Sequence, residues 1–224
     1  MLVLAMDTAT STVTAGVVSL SVDGPPAVLA QRVDAGARKH GELLMPNVLA
    51  ACAEAGVALR DVDAIVTGTG PGPFTGLRVG MVTAAALGDA LGTPVHGVCS
   101  HDAIAREACA ERLSGNLIVV TDARRREVYW AGYEAEGARV TGPHVEAPAV
   151  LVERLGGFPS VAAAGEKAEV TGLPVIGPAS AGVAGLVAVA ADALRAGTDP
   201  GPLRPLYLRR PDAVEPGARK RVSA

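Results

Sequence analysis

Hydrophobic and polar positions along this chain fall into two rhythms. Leu2 to Met6 is an unbroken apolar run, as in a strand covered on both faces, and it stops at the small polar turn Asp7-Thr8-Ala9-Thr10-Ser11. Thr12 to Val22 is rich in β-branched residues, Asp23-Gly24-Pro25-Pro26 turns the chain, and Ala27 to Val33 predicts a third strand. From Lys39 to Ala55 the rhythm changes: Leu43, Leu44, Val48, Leu49 and Cys52 recur near helical spacing, and Gly56 supplies a stop. Val62 to Thr67 returns to a buried strand. A Gly/Pro loop leads into a second predicted helix, Thr75 to Leu91, whose Gly80, Ala84, Ala85 and Gly88 permit close approach of a neighbour. Val95 to Val98 completes the set. The opening meander must be antiparallel and the later crossovers parallel, so a mixed five-stranded sheet is expected.

The second half predicts a helix from Asp102 to Arg112, strands at Leu117 to Thr121 and Glu127 to Tyr133, a turn at Glu136-Gly137, and a return strand near Arg139 to Val140. A short helix at Ala149 to Leu155, a strand at Val161 to Ala164 and an Ala-rich helix at Ser180 to Arg195 follow, then a proline-marked tail. There is no exact internal repeat. The expected organisation is two lobes, 1–100 and 101–224.

Composition narrows the function. The chain has 224 residues, 49% of them hydrophobic, and a formal net charge of −3, which excludes a disordered, tail-type protein and gives no global attraction to polyphosphate. Aromatics make up 3%, too few for the rows of stacking platforms that single-strand binders use. Cys52, Cys99 and Cys109 lack Cys-x-x-Cys spacing, which argues against a disulfide framework or zinc knuckle and suits a reducing compartment. The start of the chain reads as a strand and not a signal peptide. Its two most apolar helices are shorter than the ~20 residues a bilayer needs, so a cytoplasmic location is expected.

Candidate chemistry is sparse. The loop from Gly68 to Arg78 joins a strand to a helix, where free helical N–H groups can hold an anion, but it lacks the Lys-Ser/Thr of a Walker A loop and the third glycine of a Rossmann turn. Asp7-Thr8 after the first strand has the look of the first phosphate loop of actin-like ATPases, and also of ordinary strand-end capping. With Gly70 and Gly72 it forms a candidate vestigial phosphate loop. Pro71 and Pro73 stand where N–H donors would be wanted, so the loop reads as a rigid bracket for the helix behind it. His40, His96, His101 and His144 show no ligand spacing, which predicts no metal site. Arg124-Arg125-Arg126 sits in a turn between strands: a solvated hairpin, or a contact for a partner or for tRNA phosphate. Arg204, Arg209, Arg210, Arg219, Lys220 and Arg221 give the tail a similar ambiguity.

Five blocks in order resemble the TsaB (YeaZ) family: Leu4-Ala5-Met6-Asp7-Thr8-Ala9-Thr10; Lys39-His40-Gly41-Glu42-Leu43-Leu44-Met45-Pro46; Gly70-Pro71-Gly72-Pro73-Phe74-Thr75-Gly76-Leu77-Arg78-Val79-Gly80; Asp122-Ala123-Arg124-Arg125-Arg126-Glu127-Val128-Tyr129; and Pro205-Leu206-Tyr207-Leu208-Arg209. The resemblance implies an α/β fold of actin-like (ribonuclease H-like) type in two lobes. It further implies partnership with a larger catalytic homologue (TsaD) and a small ATPase (TsaE). Their complex moves a threonylcarbamoyl group from an adenylate onto the adenosine beside the anticodon of tRNA. The catalytic homologue carries a metal-binding His-x-x-x-His where this chain has Ser100 and Ile104, side chains that cannot build that centre.

The expectation is therefore a non-catalytic scaffold subunit without cofactor or metal, touching tRNA weakly if at all. Its docking face is placed on the first two helices, at Leu43, Leu44, Val48, Thr75, Leu77, Arg78, Gly80, Met81, Ala84 and Ala85, because the second helix is apolar around more than one stripe. The same face could pair two copies as a homodimer, or be covered by the chain's own second lobe. The rival readings are an actin-like small-molecule kinase using Asp7 and the glycine loop, and a metallopeptidase-like protein.

Overall fold

The computed structural model describes residues 1–35, 39–110 and 113–209. Arg112, Arg210, Arg219, Lys220 and Arg221 lie outside the described residues.

The first sheet forms as expected from the chain's rhythm. Strands β1 (Leu2–Asp7), β2 (Thr12–Ser19), β3 (Ala27–Ala35), β4 (Ala64–Gly68) and β5 (Val95–Val98) lie in the order β3-β2-β1-β4-β5. The β1–β2 and β2–β3 pairs are antiparallel, while β1–β4 and β4–β5 are parallel. The crossovers are helices α1 (His40–Glu54) and α2 (Phe74–Leu91).

The unbroken apolar run of β1 has a direct cause. Leu4 and Met6 face a core with Val13, Ala15, Leu44, Val48, Ile65 and Ala84 under α1 and α2. Val3 and Ala5 face the opposite core, which α3 (Ser100–Ala108) and α5 (Val183–Arg195) supply through Ile104, Leu186 and Val187. Period-2 alternation with both faces covered leaves no polar position from Leu2 to Met6.

The second sheet has β6 (Asn116–Asp122), β7 (Val128–Tyr133), β8 (Arg139–Glu146) and β9 (Ser160–Ala164) in the order β8-β7-β6-β9, with β6 and β9 parallel. Its Leu117, Val119, Ala131 and Tyr133 join the core of α3 and α5, so these two helices bind the sheets together. Its other face packs Ile118, Val120 and Trp130 on Leu151 of α4 (Pro148–Leu155).

Several boundaries differ from expectation. β8 runs on to Glu146 where the sequence suggested a stop near Val140; Gly142-Pro143 reads as a turn, yet on an edge strand proline forfeits only an outward donor. α3 begins at Ser100 and α5 at Val183. Among the described residues, no helix is long and apolar enough to cross a membrane.

Candidate functional site

At the carboxyl ends of β1 and β4, where an actin-like fold would hold phosphate, the chain's own groups close the floor. Asp7 ends β1 almost fully buried. Its Oδ1 accepts the Ala9 N–H at 2.8 Å, and its Oδ2 accepts the Ser100 hydroxyl at 2.5 Å. Ser100 is tied back to the glycine loop: its N–H donates to the Gly70 carbonyl at 2.8 Å and its Oγ accepts the Gly70 N–H at 3.3 Å. Burial pushes the Asp7 carboxyl up to about 6, against the lowering effect of the Ser100 and Ala9 hydrogen bonds. A Cβ at Gly68 would collide with that carboxylate, so glycine leaves the space that Asp7 fills.

Thr8 is spent in the same way. Its hydroxyl donates to the Gly76 carbonyl at 2.7 Å and accepts the Gly80 N–H at 2.9 Å, the two groups that an α-helix pairs with each other. Gly80 admits this contact because a side chain there would strike Thr8 Oγ1. Gly72 lies on the backbone of Ala9, with no room for a Cβ. His40, the first residue of α1, donates from Nε2 to the Thr10 carbonyl at 3.0 Å. Asp7, Thr8, Gly70 and Gly72 are thus brought together; the polar groups of Asp7 and Thr8 are taken up by the chain itself, while Gly72 also lines a cavity beside Phe74 and Tyr207.

Glu166 was not foreseen. Its Oε2 accepts the Ser11 hydroxyl and, at 3.4 Å, the Ser11 N–H; its Oε1 accepts the Asp122 N–H at 3.2 Å. One carboxylate so joins the loop after β1 to the end of β6. A pairing across 155 positions has no local sequence signal.

Above the floor three of the five motif blocks converge. Tyr207 stacks on Phe74 with ring centroids 4.9 Å apart, and its hydroxyl accepts from Arg78 Nε at 2.7 Å while the Arg78 guanidinium lies 3.8 Å from the Phe74 centroid. The Leu206 N–H bonds to the Thr69 carbonyl, and Leu203 packs on Ala9, Leu77 and Met81. Opposite stands the β6–β7 turn, where Arg124, Arg125 and Arg126 all have left-handed φ values of 63°, 52° and 64°. Each such residue costs roughly 1–2 kcal/mol relative to its right-handed form. The turn is held by Arg124 N–H to Asp122 Oδ1, Glu127 N–H to the Arg124 carbonyl and Ala123 N–H to the Glu127 carbonyl. Arg209 braces it, donating to the Ala123 carbonyl at 2.9 Å and pairing with Glu127. Arg204 lines a separate cavity beside β5, with His96 and Arg139.

The expected docking residues divide by burial. Leu44, Val48, Leu77, Gly80, Met81 and Ala84 are buried, placing them in the chain's own core and not at its surface. Thr75, Arg78 and Ala85 are exposed and Leu43 is half-buried. The large apolar residues that these helices leave exposed are Leu49 (54%), Phe74 (38%) and Val82 (65%).

Two of the histidines are packed against neighbouring side chains. His101 is fully buried, its Nε2 2.8 Å from Thr121 Oγ1, and burial foremost, with Arg139 adding, lowers its pKa to about 3. His144 packs on Trp130, ring centroids 4.7 Å apart. Ile104 is fully buried between the sheets. Among the described residues, no group of three His, Cys, Asp or Glu side chains is placed to hold a metal ion.

Comparison with known proteins follows the same lines. A family profile described as TsaD: tRNA N6-adenosine threonylcarbamoyltransferase matches residues 28–195. The chain is 52% identical to an uncharacterized protein of Mycobacterium tuberculosis over 211 residues, covering 94% of this chain and 93% of that one. It is 31% identical to the tRNA threonylcarbamoyladenosine biosynthesis protein TsaB of Escherichia coli over 159 residues, covering 69% of this chain and 66% of that protein. The solved structure of YeaZ from Pseudomonas aeruginosa superposes with a TM-score of 0.74 at 27% identity, covering 92% of this chain and 99% of that one. The chain belongs to the TsaB (YeaZ) family, within the wider group that the threonylcarbamoyltransferase profile describes.

Proposed function

We propose that this chain is a non-catalytic subunit of the machinery that makes threonylcarbamoyladenosine in tRNA, and that it acts by binding a TsaD-type catalytic homologue, with a TsaE-type ATPase joining the complex. Support for the pathway comes from relatives whose names place them in tRNA threonylcarbamoyladenosine biosynthesis. The observation that carries the non-catalytic reading is the closed floor. A kinase of this fold needs an acid open to metal and hydroxyls open to phosphate. Here Asp7 is buried against Ser100 and Ala9, and Thr8 is held inside α2. A metallopeptidase needs ligands at the start of α3, where Ser100 serves Asp7 and Ile104 serves the core.

The docking face of this proposal is the outer side of α1 and α2. Helices that already bury one stripe on the sheet still expose Leu49, Phe74 and Val82, and a partner helix pair would remove that apolar surface from water. In isolation the same face could pair two copies.

The test is association of the purified chain with its TsaD-type partner by calorimetry. Val82→Arg places a charge on the exposed face of α2 without entering the core, and it is expected to weaken association at least tenfold while circular dichroism stays unchanged. A folded variant that binds like wild type would place the interface elsewhere.

A further inference from the structure

A cavity of about 490 Å³ lies beside β5, and none of the residues that line it belongs to α1, to α2 or to the group around Asp7 and Thr8. One side is apolar, formed by Val98 and by Val189, Ala190 and Ala193 of α5. The facing wall is the segment 200–206, which holds three prolines. Its Leu206 N–H donates to the Thr69 carbonyl at 2.8 Å, and its Leu203 lies over Gly97, where a Cβ would strike it. Proline fixes φ, so this wall is set before a ligand arrives. His96 stands in the cavity 8% exposed, and among the described residues its ring makes no hydrogen bond. A polar group buried without a partner costs free energy, which a ligand that pairs with it would recover. Burial foremost lowers the pKa of this ring, with Asp199 acting against it, so the imidazole is neutral at pH 7 and offers one donor and one acceptor. Two guanidinium groups also line the cavity. Arg139 has Asp102 3.5 Å from its Nε, and Asp102 accepts the Tyr133 hydroxyl at 2.9 Å. Arg204 is exposed and has no ion pair or hydrogen bond from its side chain among the described residues. Asp199 is exposed and does not line the cavity, so the lining carries one cation in excess.

We propose that this cavity binds a small organic carboxylate with an apolar body: the carboxylate on the Arg204 guanidinium, the hydrocarbon against Val98 and α5, and a polar atom of the ligand on His96. The site is independent of the subunit reading, which asks nothing of this side of the sheet. The volume falls in the range of roughly 300–1,000 Å³ that holds small ligands. A guanidinium fork matches the two oxygens of a carboxylate, and one uncompensated cation matches one negative charge. Inorganic phosphate would leave the apolar side unused, and a polyanion would bring more charge than a single arginine balances.

The experiment titrates 4-phenylbutanoate into the full, isotope-labelled chain and follows the histidine ring signals by NMR, with 4-phenylbutanamide as the uncharged control. The His96 signals should shift saturably with a Kd of about 1 mM or tighter, while those of His40, held on the Thr10 carbonyl, stay in place. The amide should bind at least tenfold more weakly, and Arg204→Ala, a change at an exposed position, should weaken binding of the acid by a similar factor. Ala193→Leu, at a half-buried position, fills the cavity and should abolish the shifts with circular dichroism unchanged. His96→Phe removes the unpartnered nitrogens, so affinity should fall while the melting temperature holds or rises; unchanged affinity with a lower melting temperature would show that the ring serves the fold and not a ligand. Wild-type His96 signals that do not move at tens of millimolar acid, or an amide that binds as tightly as the acid, would overturn the proposal. Complete displacement by millimolar inorganic phosphate would overturn the ligand class, leaving an anion site without an apolar part.

Discussion

The Ser100 hydroxyl donates to Asp7 Oδ2 at 2.5 Å, joining residues 93 positions apart at the point where two strands of the first sheet end. The likeness of Asp7-Thr8 to a phosphate loop implied an acid open to ligand at the end of β1. Here a serine at the start of α3 takes it inward, the glycine loop seals it from above, and the carboxyl is held in a region from which water is excluded. The consequences are measurable as stability.

The first concerns pH. An acid whose folded pKa, about 6, lies above its ordinary 3.8 is penalised when ionised, so stability is greatest below pH 3.8 and falls as pH rises through 6. The penalty at neutral pH is on the order of 3 kcal/mol. His101 acts oppositely: its folded pKa, about 3, lies below 6.5, so its contribution is complete above pH 6.5 and is lost as pH falls toward 3. Asp7→Asn keeps the shape, with its carbonyl accepting from Ala9 and its amide donating to Ser100. Urea unfolding of this variant should show stability rising with pH between 4 and 6 more steeply than wild type by about 1.4 kcal/mol per pH unit. Parallel profiles for the two proteins would mean that Asp7 titrates normally.

A second expectation follows from the closeness of the glycine loop to the strand it covers. Gly72→Ala forces a methyl group into the Ala9 backbone, which is pinned by Asp7 and cannot retreat cheaply. A loss of about 1–3 kcal/mol is expected from overpacking. Denaturant midpoints measure it, and an unchanged midpoint would show that the two loops separate freely.

How much of this was legible in the sequence follows from how local each signal is. The two-faced burial of β1 could be read from Leu2–Met6, and the order of the first sheet from a meander followed by two crossovers. Thr8 reaching Gly80, Glu166 reaching Ser11 and Tyr207 reaching Phe74 could not, because nothing within a few residues of either partner encodes the meeting. The same limit applied to α2. A helix apolar around more than one stripe does not reveal which stripe faces inward, so Leu77, Met81 and Ala84 read as surface and proved to be core, while Val82 remained outside.

The third expectation concerns the segment that closes the motif blocks. Tyr207→Ala removes both the stack on Phe74 and the acceptor for Arg78, an aromatic pair and a hydrogen bond worth together about 1–2 kcal/mol at a partly exposed site. Hydrogen exchange of the Leu206 amide, bonded to Thr69, should quicken, whereas exchange in β1 and β4 should not. Protection of Leu206 equal to wild type would show that the segment is held by other contacts.

The most direct test of a non-catalytic subunit is reconstitution of threonylcarbamoyl transfer to tRNA from purified components, with the threonylcarbamoyl-adenylate supplied. The chain alone should form no product. The TsaD-type homologue should gain at least tenfold in product formation when the chain is added, and Val82→Arg should abolish the gain. Product formed by this chain in the absence of the homologue, or a homologue fully active without it, would contradict the account.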